Sequence, residues 1–324
     1  MTTMKWGTSK ENVLSLKVAT PQGQLVTTRA PVRKSSTGYE LTQVYCGSEG
    51  TLGIICELTV KLRRIQPVRC GALVRFPNTA SAAAAVVDIL KQDLVSLLKC
   101  EMLNSQGVSV TNKMFGTDLP SVPTLFWEFR ADALPVVVKD YDSAKRIAMA
   151  HGAKEEGMQF ADDGQVMDSL WEARRGCYLA SLRYRKQQNE KVLITDVCVP
   201  LTRLTECIDA TERDFMDAGF PCIICAHIAD GNFHALVPYQ PHEEKSVRKL
   251  ESQMIDRAIF LGGTVSGEHG VGLGKREKIV KEHGDLHIDI QRRIKHALDP
   301  LNIMNPGKVL EWDANTSDGL RSKM

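Results

Sequence analysis

The sequence has no long apolar run and almost no net charge. No stretch reaches the about 18 consecutive apolar residues of a transmembrane helix, so a membrane span is not expected. Its 41 Lys and Arg residues nearly balance its 39 Asp and Glu residues, which leaves a formal charge of +2. A chain with so little excess positive charge is not expected to have nucleic acid or an anionic membrane as its main partner.

A disulfide framework is also not expected. The nine cysteines are an odd number at scattered positions, which suits a reducing compartment better than a set of structural disulfides. Cys222 and Cys225 do form a CxxC pattern, but they lie in a predicted strand. Residues three apart in a strand point to opposite faces. Burial is therefore the favoured interpretation of both thiols, rather than a redox pair.

The length of 324 residues predicts two domains, and the pattern of elements predicts an α+β fold. Residues 1–67 contain strands and turns without room for a core of their own, as in the second half of a domain. Residues 68–290 alternate helices with short strands and hairpins, which predicts an antiparallel sheet with helices on one face and two related βαββαβ units. Residues 291–324 form a last helix and an Asn-Pro-Gly turn.

One hairpin carries the clearest chemical signal. In the segment CIICAHIADGNFHALVPY, the dipeptide Asp230-Gly231 predicts a two-residue turn, so that His227 would face His234 on one side of the sheet. Glu268, in a later glycine-rich segment, is a candidate third ligand. Two imidazoles and a carboxylate suit Zn²⁺ or another divalent transition metal. The alternative to a metal site is a pair of core histidines that hydrogen-bond to the backbone. If the metal site is present, the ligand set alone would also be compatible with a metal hydrolase.

A second cluster of glycines precedes an apolar strand. Gly47, Gly50 and Gly53 come just before the apolar run at 54–62. Such glycines let a loop approach a flat or phosphorylated cofactor closely, although glycines at the start of a strand are commonly simple turns.

Six segments, in this order, resemble one family, the flavin-dependent D-2-hydroxyacid dehydrogenases of the vanillyl-alcohol-oxidase type. They are spread over almost the whole chain and are far more specific together than singly. They are GSEGTLGII at 47–55, LWEARRGCYLA at 170–180, TDVCVP at 195–200, HIADGNFH at 227–234, GTVSGEHGVGLGKR at 263–276 and LDPLNIMNPGKVL at 298–310.

The resemblance implies the C-terminal part of a PCMH-type FAD-binding domain and a ferredoxin-like cap domain. It also implies FAD and a divalent metal, Zn or Mn, as cofactors. His227, His234 and Glu268 match the metal ligands, His269 matches the proton-accepting histidine beside the flavin, and Arg174 matches a residue that binds the substrate carboxylate. The positions that match parts of the flavin pocket are Gly7, Glu49, Gly50, Gly53, Ile54, Ile55, His269 and Asn305.

The implied reaction is the oxidation of a small D-2-hydroxy acid, D-lactate to pyruvate, as in the mitochondrial members of the family. Relatives specific for hydroxyglutarate carry a lysine where this chain has Ile194, which favours a short uncharged substrate. Ala229 replaces the usual glycine of the histidine motif, and one methyl group is expected to be tolerated there. Cytochrome c or another redox carrier would take the electrons, and the location would be the mitochondrion.

The first 67 residues suggest an alternative function. The family's FAD domain begins well upstream of the part matched here, with its diphosphate-binding turn, and half a domain leaves strand edges and apolar faces uncovered. A shortened, non-catalytic member could use that surface to bind a protein partner or a second copy of itself. The two functions predict different outcomes for flavin content and for D-lactate oxidation.

Overall fold

The computed structural model describes residues 1–162, 164–184 and 189–312. It consists of two compact units, Met1–Lys5 with Ile65–Gly267, and Trp6–Arg64 with Glu268–Met324. The first boundary lies close to the predicted position 67. The second lies at Gly267 and not at 290, because Gly267 still donates a backbone hydrogen bond to Asp196, whereas Val271 donates to Glu49.

The larger unit is built on one antiparallel sheet, and the smaller unit has a sheet of its own. The strands are β1 Val13–Ala19, β2 Leu25–Thr27, β3 Ile54–Val60, β4 Val68–Arg75, β5 Leu97–Leu103, β6 Thr124–Ala131, β7 Met158–Ala161, β8 Lys191–Ile194, β9 Val197–Cys198, β10 Ile223–His227 and β11 Asn232–Tyr239. The large sheet has the order β7-β4-β6-β5-β10-β11-β8, and β9 pairs with β11.

Helices connect most of these strands, and the α+β class is confirmed. The α-helices are α1 Thr3–Trp6, α2 Ser9–Asn12, α3 Leu41–Tyr45, α4 Thr79–Leu90, α5 Ser105–Phe115, α6 Leu134–Ala150, α7 Gly164–Arg175, α8 Cys177–Arg183, α9 Leu201–Asp217, α10 Glu244–Phe260, α11 Ile279–His283 and α12 Asp285–Leu298. Within the described ranges, no helix combines the length and apolar character needed to cross a bilayer.

The large sheet is covered by helices on both faces, so the prediction of helices on one face is wrong. Phe126 in β6 packs on Trp171 of α7, with ring centroids 6.3 Å apart. Phe129 in the same strand packs edge-on against Tyr141 of α6, at 6.2 Å. Residues three apart in a strand point to opposite faces, so α7 and α6 cover different sides. The order β4-α4-β5-α5-β6-α6-β7 also differs from the predicted βαββαβ unit, because α5 lies between β5 and β6.

The smaller unit has a three-stranded sheet of order β2-β1-β3 and a small core. Leu16, Val18, Tyr45 and Leu52 form that core. Every residue of β3 is exposed, and Ile54 retains 59% of its accessible surface. The unit therefore presents apolar side chains on an edge strand.

Asn104 joins α5 to β10, and we expect its replacement by alanine to destabilise the larger unit by about 3 kcal/mol. The buried amide caps α5 by accepting from the Gly107 N–H at 2.9 Å. It also accepts from the Ile224 N–H at 2.9 Å and donates to the Cys222 carbonyl at 2.8 Å. Loss of a cap costs about 1 kcal/mol, and each buried group left unsatisfied costs about 1–3 kcal/mol.

Asn78→Ala is the matched control for Asn104→Ala in urea unfolding. The exposed Asn78 caps α4 by accepting from the Ser81 N–H, so its removal should cost about 1 kcal/mol. Equal losses for the two variants would contradict the proposed linking role of Asn104.

Candidate functional site

The hairpin that carries the two histidines has a longer loop than its sequence predicts. His227 ends β10 and pairs with Asn232, and Cys225 pairs with His234. Residues 228–230 form a 3-10 turn, which Gly231 closes with φ of +77°. The predicted two-residue turn is therefore wrong, and so is the direct pairing of His227 with His234. A Cβ on Gly231 would lie 2.1 Å from the Val199 carbonyl oxygen, so this loop fits only glycine there.

The two imidazoles nevertheless lie on the same face of the sheet. Paired residues share a face, and so do residues two apart in one strand. His227 is therefore a diagonal neighbour of His234 instead of its direct partner. Their ring centroids are 5.6 Å apart and the rings are nearly perpendicular. The prediction that the two imidazoles lie side by side on one face is confirmed, although the strands pair in a different register.

Both histidines are oriented through the same ring nitrogen. The Nδ1 of His227 lies 3.0 and 2.9 Å from the two carboxylate oxygens of Glu101. The Nδ1 of His234 lies 2.9 Å from the Thr195 carbonyl oxygen. An acceptor opposite Nδ1 favours the tautomer with its proton there, in which Nε2 carries the lone pair. Metal-binding histidines are held in this way by outer partners.

Arg174 is buried beside the histidines. It lies on α7, and its Nη2 donates to Glu101 and, at 3.1 Å, to the carbonyl oxygen of Ala226, the residue before His227. Arg174 is therefore a buried residue that forms an ion pair, and it does not lie on the helix surface. Cys225, opposite His234, contacts Cys177, whose hydrogen bond lowers the pKa of the Cys225 thiol below its usual value. Cys222 and Cys225 are both buried, as predicted.

Asp196 holds the segment that precedes Glu268. Its carboxylate accepts from Asn232 Nδ2 at 2.9 Å and from Ser266 Oγ at 2.8 Å, and its backbone oxygen accepts from the Gly267 N–H at 3.2 Å. A Cβ on Gly267 would lie 2.1 Å from Asn232 Nδ2. Gly267 is therefore fixed beside the residue that pairs with His227.

Three of the predicted cofactor residues meet in the smaller unit. The Glu49 carboxylate accepts from the N–H groups of Val271 at 2.7 Å and Gly272 at 2.8 Å, and its backbone oxygen accepts from Asn305 Nδ2 at 2.6 Å. Glu49 has φ of +50° and Gly50 has φ of +73°. The two predicted segments at 47–55 and 298–310 thus meet at one loop.

The other predicted residues of this unit make local contacts. Gly7 packs against Glu11, Gly53 packs against Val18 of β1, and Ile54 and Ile55 are exposed on β3. Glu268 and His269 begin this unit, are about half exposed, and have Oε1 and Nε2 3.9 Å apart.

The sequence reasoning missed Glu101, Asp196 and Thr195. Glu101 is the one glutamate in the largely apolar strand LLKCEML and has apolar or sulfur-containing neighbours on both sides, and a charge at such a position signals a buried partner. Asp196 and Thr195 lie within the segment TDVCVP, but nothing in that segment shows that Thr195 orients His234 or that Asp196 holds the residues before Glu268.

The chain belongs to a family of flavin-linked oxidases. Residues 65–309 match the family described as FAD linked oxidases, C-terminal domain. The chain is 34% identical over 310 residues to the mitochondrial D-lactate dehydrogenase (cytochrome) of Arabidopsis thaliana. This match covers 95% of the chain and 54% of the relative. It is 36% identical over 317 residues to the mitochondrial D-lactate dehydrogenase (cytochrome) 1 of Saccharomyces cerevisiae, with 96% and 54% covered. The chain thus spans about half the length of these curated relatives.

Solved structures confirm the predicted fold. A 4-ethylphenol oxidase from Gulosibacter chungangensis matches with a TM-score of 0.70 at 14% identity, over 94% of this chain and 66% of the other. A p-cresol methylhydroxylase matches with a TM-score of 0.66 at 14% identity, over 92% and 65%. At these identities the likeness concerns the fold alone, which is the expected PCMH-type architecture.

Proposed function

We propose that this chain is the catalytic C-terminal part of an FAD- and metal-dependent D-2-hydroxyacid dehydrogenase that oxidises D-lactate to pyruvate. The observation that carries the proposal is the pair of imidazoles on one sheet face, each held through Nδ1, beside the buried cation of Arg174. The family and the names of the relatives support the same reaction.

His227, His234 and Glu268 would hold the divalent metal, Zn or Mn. Two imidazoles that present Nε2 and one carboxylate form a suitable donor set with open positions. Glu268 is the residue directly after Gly267, which is fixed beside Asn232. The bound metal would act as a Lewis acid toward the substrate hydroxyl.

Arg174 and His269 would bind the substrate and move its proton. The guanidinium group of Arg174 lies at the end of β10, where its Nη2 contacts Glu101 and the Ala226 oxygen. A guanidinium group can hold a carboxylate bidentately, so Arg174 would bind the substrate carboxylate and fix which face of Cα reacts. His269 would accept the hydroxyl proton, because an imidazole can do so near neutral pH. Ile194, partly exposed on β8, suits the methyl group of lactate.

FAD, when bound, supplies the acceptor for the Cα hydride. Ile54 and Ile55 expose apolar side chains directly after Gly53, where a flat ring system can be covered. Asn305 ties the Glu49–Gly50 loop in place near this strand. These residues fit an isoalloxazine ring, as do Gly7 and His269 by resemblance. The relatives' names further support a mitochondrial location and a cytochrome as electron acceptor.

A second candidate function is a non-catalytic interaction module. The exposed edge strand β3 favours it, since uncovered apolar strands recruit another chain. A metal hydrolase is less well supported, because it leaves the match to FAD linked oxidases unexplained.

The purified full-length gene product should contain flavin and should reduce cytochrome c or an artificial dye when D-lactate is added. L-lactate and D-2-hydroxyglutarate should give far lower rates under the same conditions, because the geometry at Cα and the uncharged Ile194 disfavour them. A protein without flavin and without D-lactate-dependent reduction would contradict the dehydrogenase. If such a protein also bound a partner or a second copy through β3, the interaction module would be the better description.

A further inference from the structure

Glu101 is a buried carboxylate that contacts two residues of the proposed site at once. Only 1% of its surface is accessible, on the central strand β5. Its oxygens lie 2.9 and 3.0 Å from His227 Nδ1, and it accepts from Arg174 Nη2. A charge so deeply buried persists only where partners neutralise it and satisfy its lone pairs.

The contacts form a closed arrangement around the end of β10. Arg174 Nη2 donates to Glu101 and also to the carbonyl oxygen of Ala226. The residue after Ala226 is His227, whose ring returns to Glu101. Displacement of Glu101, Arg174 or His227 would therefore break a hydrogen bond to one of the other residues in this arrangement. The arrangement fixes the rotamer of the imidazole and the position of the guanidinium group together.

We infer that Glu101 is the positioning residue that couples the metal-binding side of the site to its carboxylate-binding side. It holds His227 in the tautomer with Nδ1 protonated, and it holds Arg174 against the strand that carries that histidine. The inference rests on the proposed function for the roles of His227 and Arg174. The tautomer itself does not depend on that function.

The two histidines differ in how they are oriented. His234 is held by a backbone oxygen, that of Thr195, which side-chain replacement leaves in place. His227 is held by a side chain. Replacement at Glu101 should therefore change the ring of His227 and leave the ring of His234 as it was. This asymmetry separates a positioning role from a general loss of structure.

Glu128 provides a matched control. It is also 1% accessible, and it lies on the same sheet face two residues from Phe126, the residue that pairs with Glu101. Its contacts are cations, with Lys99 at 2.8 Å and Arg130 at 3.1 Å. Its replacement removes a buried carboxylate whose ion pairs are with surface-reaching cations and not with an imidazole.

The test compares Glu101→Gln with Glu128→Gln in two measurements on the full-length protein. The first is the affinity for zinc ion alone, without substrate, by competition with a chelator. We expect Glu101→Gln to weaken it about 10–100-fold, as for loss of outer partners of a ligating histidine, and Glu128→Gln to change it less than twofold. The second is the tautomer of each histidine by ¹⁵N NMR of the metal-free protein, with His227→Asn to assign the signals.

In the metal-free wild type, His227 should have its proton on Nδ1, and in Glu101→Gln only this ring should lose that preference. A wild-type His227 protonated on Nε2 would overturn the inference even if the Glu101 variant fails to fold. So would a folded Glu101→Gln protein with unchanged tautomers and zinc affinity. A wild type that binds neither zinc nor manganese would refute the metal in the proposed function, whereas the NMR result would still decide the role of Glu101.

Discussion

Replacing His234 with alanine is expected to weaken zinc or manganese binding by more than about 100-fold, since even the loss of an outer partner weakens it 10–100-fold. His234 is nearly buried, and its Nδ1 lies 2.9 Å from the Thr195 oxygen. D-lactate oxidation should fall at least as far. Lewis-acid stabilisation contributes several kcal/mol, and each 1.36 kcal/mol is about tenfold in kcat/KM. Metal content by mass spectrometry and chelator competition measure the first effect without any turnover.

His151→Ala is the matched control for His234→Ala. His151 also belongs to the larger unit and pairs with a carboxylate, with its Nε2 2.8 Å from Asp88 Oδ2 at the surface. Its loss should leave metal affinity unchanged. His227→Ala should resemble His234→Ala, and the double variant should be little worse than either, because either loss already removes most of the affinity. A His234→Ala protein that retains wild-type metal affinity would rule out the proposed ligand set.

Local patterns in the sequence are sufficient to predict several strands and helices. The alternation of apolar and polar residues at 12–20, followed by a Pro-Gln-Gly turn, is typical of a hairpin, and β1 and β2 form one. Asn78 is a typical first residue before a helix, and its side chain caps α4. Such elements depend on residues close in sequence. A similar signal at Asn104, with Val108 and Thr111 on one helical face, could have predicted α5.

The register of the histidine hairpin could not be predicted in the same way. The dipeptide Asp230-Gly231 favours a two-residue turn, but the loop also packs against Val199. The Val199 N–H donates to the Gly231 oxygen, at 3.0 Å. This contact comes from the residue directly after β9, more than 30 residues earlier in the chain, and it favours the longer loop. The observed partner of His227 is two residues away from the predicted partner. Side chains in a strand alternate between faces with a period of two, so the two histidines still lie on the same face.

The partners of the predicted site residues were also beyond local patterns. Glu101 is 73 positions from Arg174 and 126 positions from His227. No spacing rule connects residues so far apart on three different elements. The boundary at Gly267 had a similar cause, since bonds to Asp196 and Glu49 decide to which unit each residue belongs. The candidate ligands could be predicted from motifs, whereas the residues that hold them depend on the tertiary fold.

Asp299→Ala is expected to destabilise the smaller unit by about 3–5 kcal/mol, because removal of one partner leaves a buried charge uncompensated. The fully buried carboxylate of Asp299 pairs with the ammonium group of Lys295 on α12 and accepts from the N–H groups of Ile303 and Met304. Lys295 also donates to the carbonyl oxygens of Thr51 and Met304, each at 2.8 Å. The variant would therefore lose the anchor of the turn before Asn305. Urea unfolding measures the loss.

Asp289→Ala is the control for Asp299→Ala, and pH provides an independent check. Asp289 forms an i,i+4 pair with Arg293 on the solvent side of α12, so its loss should cost less than about 1 kcal/mol.

Burial raises the pKa of Asp299, but the hydrogen bonds from Lys295, Met304 and Ile303 outweigh burial and lower the pKa below its usual value. The group therefore stabilises the fold fully above the ordinary Asp pKa of about 3.9, and this contribution is lost as pH falls through the lowered pKa. The difference in unfolding free energy between the wild type and Asp299→Ala should therefore shrink over that acid range. A difference that stays constant over this range would show that Asp299 does not stabilise the fold as an anion.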